Sequence, residues 1–290
     1  MTAQSRRPAI AGVSQKVQRV EDPRESLSPI DLMEQALRGA AEDAGAPKLL
    51  ESLDAIYVPR GLWQYGDPGA ALAERVGASG VRTALGAISG HIVQVLVDRA
   101  CTEIAEGRSD LIAIVGAESE HSKRRLARLG HPRGWEEDPT GEPDLFVGET
   151  KAGLLPHEAQ AGIRDAVSCF GLCETALRHD RKESPGAHRL RISELYARMS
   201  EIAARNPHAW IQRAIPADEI RTPTPANRMV GYPYTKLMTS NIAVDQGAAL
   251  IVCSAEAAAR FGIATDKLVH LQAATEMSHT LLLSERDVLH

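Results

Sequence analysis

Over the first 120 positions apolar residues fall in short blocks, and the spacing inside each block marks it as strand or helix. Ala9 to Val17 predicts a first strand. Ser28-Pro29-Ile30-Asp31 predicts a helix start, with the Ser28 hydroxyl as cap, Pro29 at the first helical position and Asp31 three residues beyond the cap. Leu32, Met33, Ala36, Leu37, Ala40 and Ala44 then share one face, which ends near Gly45. Asp54 to Val58 predicts the next strand and Pro68 to Val76 a short helix. Val81 to Ile88 reads as a buried strand that runs through Ser89-Gly90-His91 into Ile92 to Glu106. There Val93, Leu96, Val97, Ala100 and Ile104 recur at helical spacing. After Gly107 the run Asp110 to Gly116 is short and apolar enough for a strand covered on both faces. Strand, helix and strand in that order predict a crossover between parallel strands. Ligands of such sheets sit beyond the carboxyl ends of the strands, where Ser89, Gly90 and His91 would lie.

From about His121 to Tyr234 the rhythm changes. Stretches punctuated by Arg and Pro, such as His131 to Pro143, separate long helical segments at Pro156 to Arg181 and Pro185 to Asn206. This predicts an insertion or lid rather than more sheet. Strand character returns at Val244 to Ser254, a helix follows at Ala255 to Phe261, and Leu268 to Ala274 predicts a last strand. The chain therefore divides into an α/β core at 1–120, an excursion at 121–240 and a return to the core at 241–290.

The 290 residues are 43% hydrophobic and include only three Phe, five Tyr and three Trp, so the core should be large and aliphatic. A formal charge of -5 offers no broad attraction to nucleic acid or an anionic membrane, which points to metabolites or proteins as partners. No stretch approaches the roughly twenty apolar residues of a membrane helix. Cys101, Cys169, Cys173 and Cys253 are few, and Met1 to Pro8 carries no apolar signal segment, which indicates a reducing cytoplasm. The cysteine spacings match no zinc-finger pattern, and no metal is expected. Cys101 falls about 16 Å along the helix beyond Gly90 and reads as core. Cys169 and Cys173 share a helix face, and two ligands make a weak metal site.

The stretch Ile192 to Ser254 carries a more specific signal: Leu195-Tyr-Ala-Arg-Met-Ser200, Asn206-Pro-His-Ala-Trp210, Glu219-Ile-Arg-Thr-Pro223, Asn227-Arg-Met-Val230, Tyr232-Pro-Tyr-Thr-Lys-Leu-Met238 and Val244-Asp-Gln-Gly-Ala-Ala-Leu250. In combination these segments resemble the thiolase superfamily, in particular its sterol-carrier-protein-2-like, thiolase-like branch, often named acetyl-CoA acetyltransferases. The resemblance implies the N-terminal half of a thiolase-like α/β fold, with a mixed central sheet, flanking helices and a long, largely helical excursion. Asp245 to Glu256 matches the end of that first half, so 241–290 would hold its last core strand and helix plus the start of a truncated second half. The Gly-His-Pro and Cys-Gly-Gly motifs of a second half do not occur.

Counting back from Gly107, Asp110 and Glu118, the resemblance places the family's acylated cysteine at Gly90, which has no side chain to acylate. Where the thiolase-like branch tends to have Gly-Gly-Asn-x-Pro-Gln, this chain has Ser89-Gly90-His91-Ile92-Val93-Gln94. The implied function is a protein of the acyltransferase family that binds an acyl-CoA thioester but lacks the cysteine nucleophile. Two alternatives stand beside it: a CoA-thioester enzyme, retro-aldolase or acyl transferase, active only with a partner chain, and a non-catalytic protein-interaction subunit. CoA or acyl-CoA would be the ligand, with no tightly bound cofactor, in lipid metabolism. A homodimer, or a complex with a chain supplying the missing half, is expected.

The candidate residues follow from these roles. The helix start at Gly90 presents free N–H groups and a positive dipole end, suited to a thioester oxygen or another anion. A Ser89 hydroxyl needs a positioned base to act as a nucleophile, and His91 is the one base nearby in sequence. As a plainer alternative, Ser89 is a turn hydroxyl and His91 a first-turn side chain. His208 and Trp210 could cover a CoA arm, and Arg228 and Lys236 could neutralise its phosphates. Glu118 and His121 follow a strand end that would face a crevice, and Asn227 with the turn Tyr232 to Thr235 would fix how the excursion rejoins the sheet.

Overall fold

The computed structural model describes residues 5–131, 135–149, 154–277 and 282–289. Along the chain, β1 (Pro8–Val17) leads to α1 (Pro29–Asp43), β2 (Ala55–Pro59), α2 (Pro68–Val76), β3 (Arg82–Gly86), α3 (Ile92–Ala105), β4 (Leu111–Ser119), α4 (Glu120–Arg128) and β5 (Leu145–Val147). Then come α5 (Pro156–Gln160), α6 (Ala166–Asp180), α7 (Pro185–Ala203), α8 (Ala217–Arg221), β6 (Met229–Gly231), β7 (Tyr234–Thr235), β8 (Asp245–Ser254), α9 (Ala255–Arg260) and β9 (Val269–His270). These elements form two units: Met1–Thr150 with Ile242–Glu276, and Lys151–Asn241 with Met277–His290.

Unit 1 is built on a seven-stranded mixed sheet of order β5-β3-β2-β4-β8-β1-β9. β5, β3, β2 and β4 run parallel, β8 is antiparallel to both β4 and β1, and β9 pairs antiparallel with Ala9 and Ile10 of β1. Successive strand residues point to opposite faces, and along β2 and most of β4 both faces are buried, which is why those two strands read as apolar runs. On one face Ile56, Val58, Leu111, Ala113 and Val115 pack with Leu32, Met33, Leu37, Leu72 and Ala257 of α1, α2 and α9. On the other, Ala55, Tyr57, Ala84, Ile112 and Ile114 pack with Leu96, Val97, Ala100 and Ile104 of α3. Met33 and Leu37 are fully buried, and each such side chain contributes about 1.5–3 kcal/mol.

Local chemistry sets the element ends. Ser28 Oγ accepts from Asp31 N while the Asp31 carboxylate accepts from Ser28 N, the expected capping box, with Pro29 at the first helical position. The strand expected over Val81 to Ile88 ends at Gly86, where Arg60 N donates to the Gly86 carbonyl and Ala87 N to that of Val147. The helical stretch expected over Pro156 to Arg181 is two helices, because Gly162 takes a φ of 93° between α5 and α6. The strand expected at Leu268 to Ala274 is reduced to the two residues of β9.

Unit 2 has its own small core of Ile192, Ile215, Ile220, Tyr234 and Met238, with Val167 and Tyr196 packed against it. Asn227 holds the approach to the β6–β7 hairpin. Its Nδ2 donates to the carbonyls of Glu219, Ile220 and Thr222, and its Oδ1 accepts from Leu237 N. The Glu158 carboxylate accepts from Leu155 N and Ser284 N, each at 2.7 Å, and so ties the last described segment to α5. α6 reaches the hairpin through Gly171: a Cβ there would stand 2.6 Å from the Tyr232 carbonyl oxygen, against backbone that cannot step aside. Gly171→Ala is therefore expected to cost about 2 kcal/mol through overpacking, read as a lower urea midpoint with α6 and hairpin amides losing protection first. An unchanged midpoint would show that the helix has room to shift.

Candidate functional site

β2, β3 and β4 end at the same edge of the unit 1 sheet, and β8 begins there. At the end of β4 the Glu118 carboxylate accepts from Leu62 N at 2.7 Å, and the Trp63 indole donates to the Ala117 carbonyl at 3.1 Å. These two bonds fold the segment after β2 across the strand end. Burial pushes the Glu118 carboxyl above its ordinary range, against the lowering effect of the Leu62 N–H. Asp245, fully buried at the start of β8, accepts from Ser122 N at 3.1 Å and from Ser122 Oγ at 2.5 Å, and thereby caps α4 from a neighbouring strand. His121 N donates to the Val244 carbonyl.

Beyond β3, Ser89, Gly90 and His91 turn the chain into α3, whose N-cap is His91. Ser89 Oγ and His91 Nδ1 lie 2.8 Å apart, so the two side chains that the spacing alone left unconnected are hydrogen-bonded to each other. The imidazole is consequently not spent on capping the helix. Gln94 N and Val95 N bond to the His91 carbonyl and Ile92 N to that of Ser89, which leaves Val93 as the first-turn donor without an intrahelical acceptor. Gly90 is exposed, its φ is outside the left-handed region, and a Cβ built on it would meet nothing within 4 Å. Ile88 and Val93, two residues before and three after it, are exposed apolar side chains, at 59% and 46%. Among the described residues His91 makes no second side-chain hydrogen bond, so the Ser–His pair has no orienting carboxylate.

No family model matches the chain, and no curated protein does. Among solved structures it is similar to the monomeric SCP2-thiolase-like protein type 1 of Mycobacterium smegmatis, at 27% identity over 94% of this chain with a TM-score of 0.74. The fold of this chain is thiolase-like. It shares its fold with the Ltp2–ChsH2(DUF35) aldolase, at 17% identity over 99% of the chain and a TM-score of 0.65. The acetyl-CoA acetyltransferase of Syntrophomonas wolfei shares it too, at 14% identity over 89% and a TM-score of 0.56. The thiolase-like chain spans 51% of the length of the first of these proteins and 66% of each of the other two. Among its described residues no helix is long and apolar enough to cross a membrane.

The remaining sequence candidates of this thiolase-like chain lie in unit 2. Arg228 and Lys236 are joined across the β6–β7 hairpin by a bond from Lys236 N to the Arg228 carbonyl, and among the described residues neither side chain makes an ion pair. His208 and Trp210 follow α7. His208 is exposed, its backbone N donates to Asn206 Oδ1, and Trp210 is half-buried. Cys101, Cys253 and Cys169 are poorly suited to nucleophilic work: burial pushes both the Cys101 and the Cys253 thiol up to about 11, and raises Cys169 as well.

Unit 2 also contains a polar cluster that the sequence reading missed. His188 of α7 is completely buried, with Nδ1 2.8 Å from Glu183 Oε2 and Nε2 3.1 Å from Glu174 Oε1. The Tyr234 hydroxyl donates to Glu174 Oε2 at 2.8 Å, and burial followed by that bond pushes the phenol up. Arg191 Nε donates to Glu183 at 2.8 Å. Among the described residues no group of three or more His, Cys, Asp or Glu is placed to hold a metal ion.

Proposed function

We propose that the thiolase-like chain binds an acyl-CoA thioester at the mouth of α3, between Ser89, Gly90 and His91, and does so without a cysteine nucleophile. The observation that carries this reading is the open, side-chain-free position at Gly90, just ahead of the first turn of a fourteen-residue helix. A thioester oxygen there would accept from the Val93 N–H in the positive end of the helix dipole, and the acyl chain would lie against Ile88 and Val93. The Ser89 hydroxyl and His91 imidazole can donate to or accept from the same group. Lacking an orienting carboxylate, they are assigned to binding rather than to acyl transfer. His208, Trp210, Arg228 and Lys236 are assigned to CoA recognition within unit 2, the two cations to phosphate and the indole to an apolar arm or adenine ring.

A second reading is a CoA-thioester enzyme, retro-aldolase or acyl transferase, completed by a partner chain. It is favoured by the aldolase that shares the fold over 99% of this chain and carries a DUF35 component. On either reading the chain associates, with its own copy or with a chain that supplies a second half; without such chemistry it is an interaction subunit. Calorimetric titration with acetyl-CoA, a longer acyl-CoA and free CoA tests the primary reading. Saturable heat is expected, with acetyl-CoA about fivefold tighter than free CoA, as one added hydrogen bond of about 1 kcal/mol supplies. Absence of saturable heat with all three ligands would overturn thioester binding.

A further inference from the structure

We propose that unit 2 carries a phosphate-monoester site of its own, at the N-terminus of α7 between Arg189 and Arg221. A surface cavity of about 330 Å³ is lined there by Gly186, Arg189, Arg221, Thr222 and Pro223. Four features of its wall select for an anion with several acceptor oxygens.

The first is an uncompensated guanidinium. Arg189 donates through Nη2 to the neutral carbonyl of Arg221, makes no ion pair among the described residues, and has its Nε shut away from solvent without a partner. The closed-off Nε is not the group an ion would meet; what Arg189 brings to the cavity wall is a guanidinium charge that no carboxylate among the described residues offsets. The second is Arg221, whose guanidinium leans on Asp218 at 2.6 Å. That carboxylate is 79% exposed, so the pair is weak and its cation can turn to a better acceptor. The third is the helix end itself. Pro185 has no N–H, Ser184 takes up those of Ala187 and His188, and the Gly186 N–H is left at the cavity with the dipole of a nineteen-residue helix behind it. The fourth is emptiness: a Cβ on Gly186 would meet nothing within 4 Å. Thr222 adds a hydroxyl at the rim.

Two guanidiniums, one helix N–H and one hydroxyl offer more donors than the two oxygens of a carboxylate can use, whereas a phosphate monoester brings three oxygens and up to two charges. The site is complete within unit 2 and does not rest on the thioester reading above.

The test follows the Ala187 amide of the ¹⁵N-labelled full chain during titration with inorganic phosphate and with adenosine 3′,5′-bisphosphate, ionic strength being held constant with sodium chloride. A saturable shift is expected, weakened about tenfold or more in Gly186→Glu and in Arg189→Met, since each removes a charge-assisted contact or sets a like charge in its place. Gly186→Glu keeps the test sound if Arg189→Met perturbs folding, because a carboxylate in the first turn of a helix favours the helix. A bisphosphate that binds more tightly than phosphate supports a nucleotide-borne phosphate, and equal affinity supports recognition of the phosphate group alone. No saturable shift with either anion, or a shift undiminished in Gly186→Glu, overturns the site.

Discussion

His188→Ala is expected to destabilise unit 2 by about 3 kcal/mol, more than any other single truncation in that unit. The ring is fully buried and stands between two carboxylates, Glu183 Oε2 at 2.8 Å and Glu174 Oε1 at 3.1 Å. Its removal leaves those carboxylates facing a cavity and each other. Glu183 keeps Arg191 and Arg181 as partners, while Glu174 keeps only the Tyr234 hydroxyl among the contacts described above. Because Glu174 sits on α6, His188 on α7 and Tyr234 on β7, the loss should appear as faster hydrogen exchange across all three elements. The unit 1 sheet should keep its protection. A change under about 1 kcal/mol would mean that apolar packing of Ile192, Ile220 and Met238 holds the unit without the cluster.

The same cluster gives unit 2 an acid limit. The hydrogen bond from Arg191, followed by those from His188 and Arg181, holds the Glu183 carboxyl down at about 2 against the desolvation that would raise it. A carboxylate whose folded value lies below its unfolded value of about 4.3 adds stability at higher pH and loses it as pH falls between the two. The backbone N–H groups of Leu155 and Ser284 lower Glu158 in the same sense. Unfolding of unit 2 should therefore advance between about pH 4.3 and pH 2, and Glu183→Gln should flatten its part of that profile.

What was legible in the sequence, and what was not, follows the range of the interactions concerned. The capping box at Ser28 and Asp31 spans three residues and is written locally, so α1 begins where expected. The crossover from β3 through α3 to β4 was legible because burial on both faces of the sheet and one face of the helix leaves two clear periods. α4 was not, since Glu120-His-Ser-Lys-Arg-Arg-Leu-Ala-Arg128 is largely charged and its N-terminal bond comes from Asp245, 123 residues away. β5 is three residues long and exists by pairing with β3. At the turn from β3 into α3 the place in the fold was legible but the contact was not: residues two apart across a turn meet or miss according to side-chain torsions that no spacing encodes, and Ser89 and His91 meet. The His188 cluster was hidden for the opposite reason, its Tyr234 and Glu174 members lying 60 residues apart.

Gly90→Cys is expected to convert the mouth of α3 into a reactive thiol site, and it tests the electrostatics of that position directly. The substitution is sterically free, because nothing lies within 4 Å of the new Cβ and the backbone is not left-handed. A thiol there would stand on the residue before the α3 N-cap His91, and a helix N-terminus together with a neighbouring imidazole lowers a cysteine from about 8.5 toward 7 or below. At about pH 6.5 that shift raises the thiolate fraction about twentyfold over a free cysteine, measurable from the ultraviolet thiolate absorbance and from alkylation by iodoacetamide. The native background is quiet, with Cys101 and Cys253 pushed up to about 11 and Cys169 also raised, and a Cys173→Ser background removes the fourth thiol. Offered acetyl-CoA, the thiolate would attack the thioester carbonyl, form a new carbon–sulfur bond and release CoA thiolate, which takes up a proton from water. Intact mass would rise by one acetyl group. Faster transfer from acetyl-CoA than from a short acetyl thioester without the nucleotide would require CoA recognition by the chain, and equal slow transfer from both would indicate an activated thiol with no ligand site. A thiol that titrates like a free cysteine would remove the physical basis for assigning a thioester oxygen to the first turn of α3.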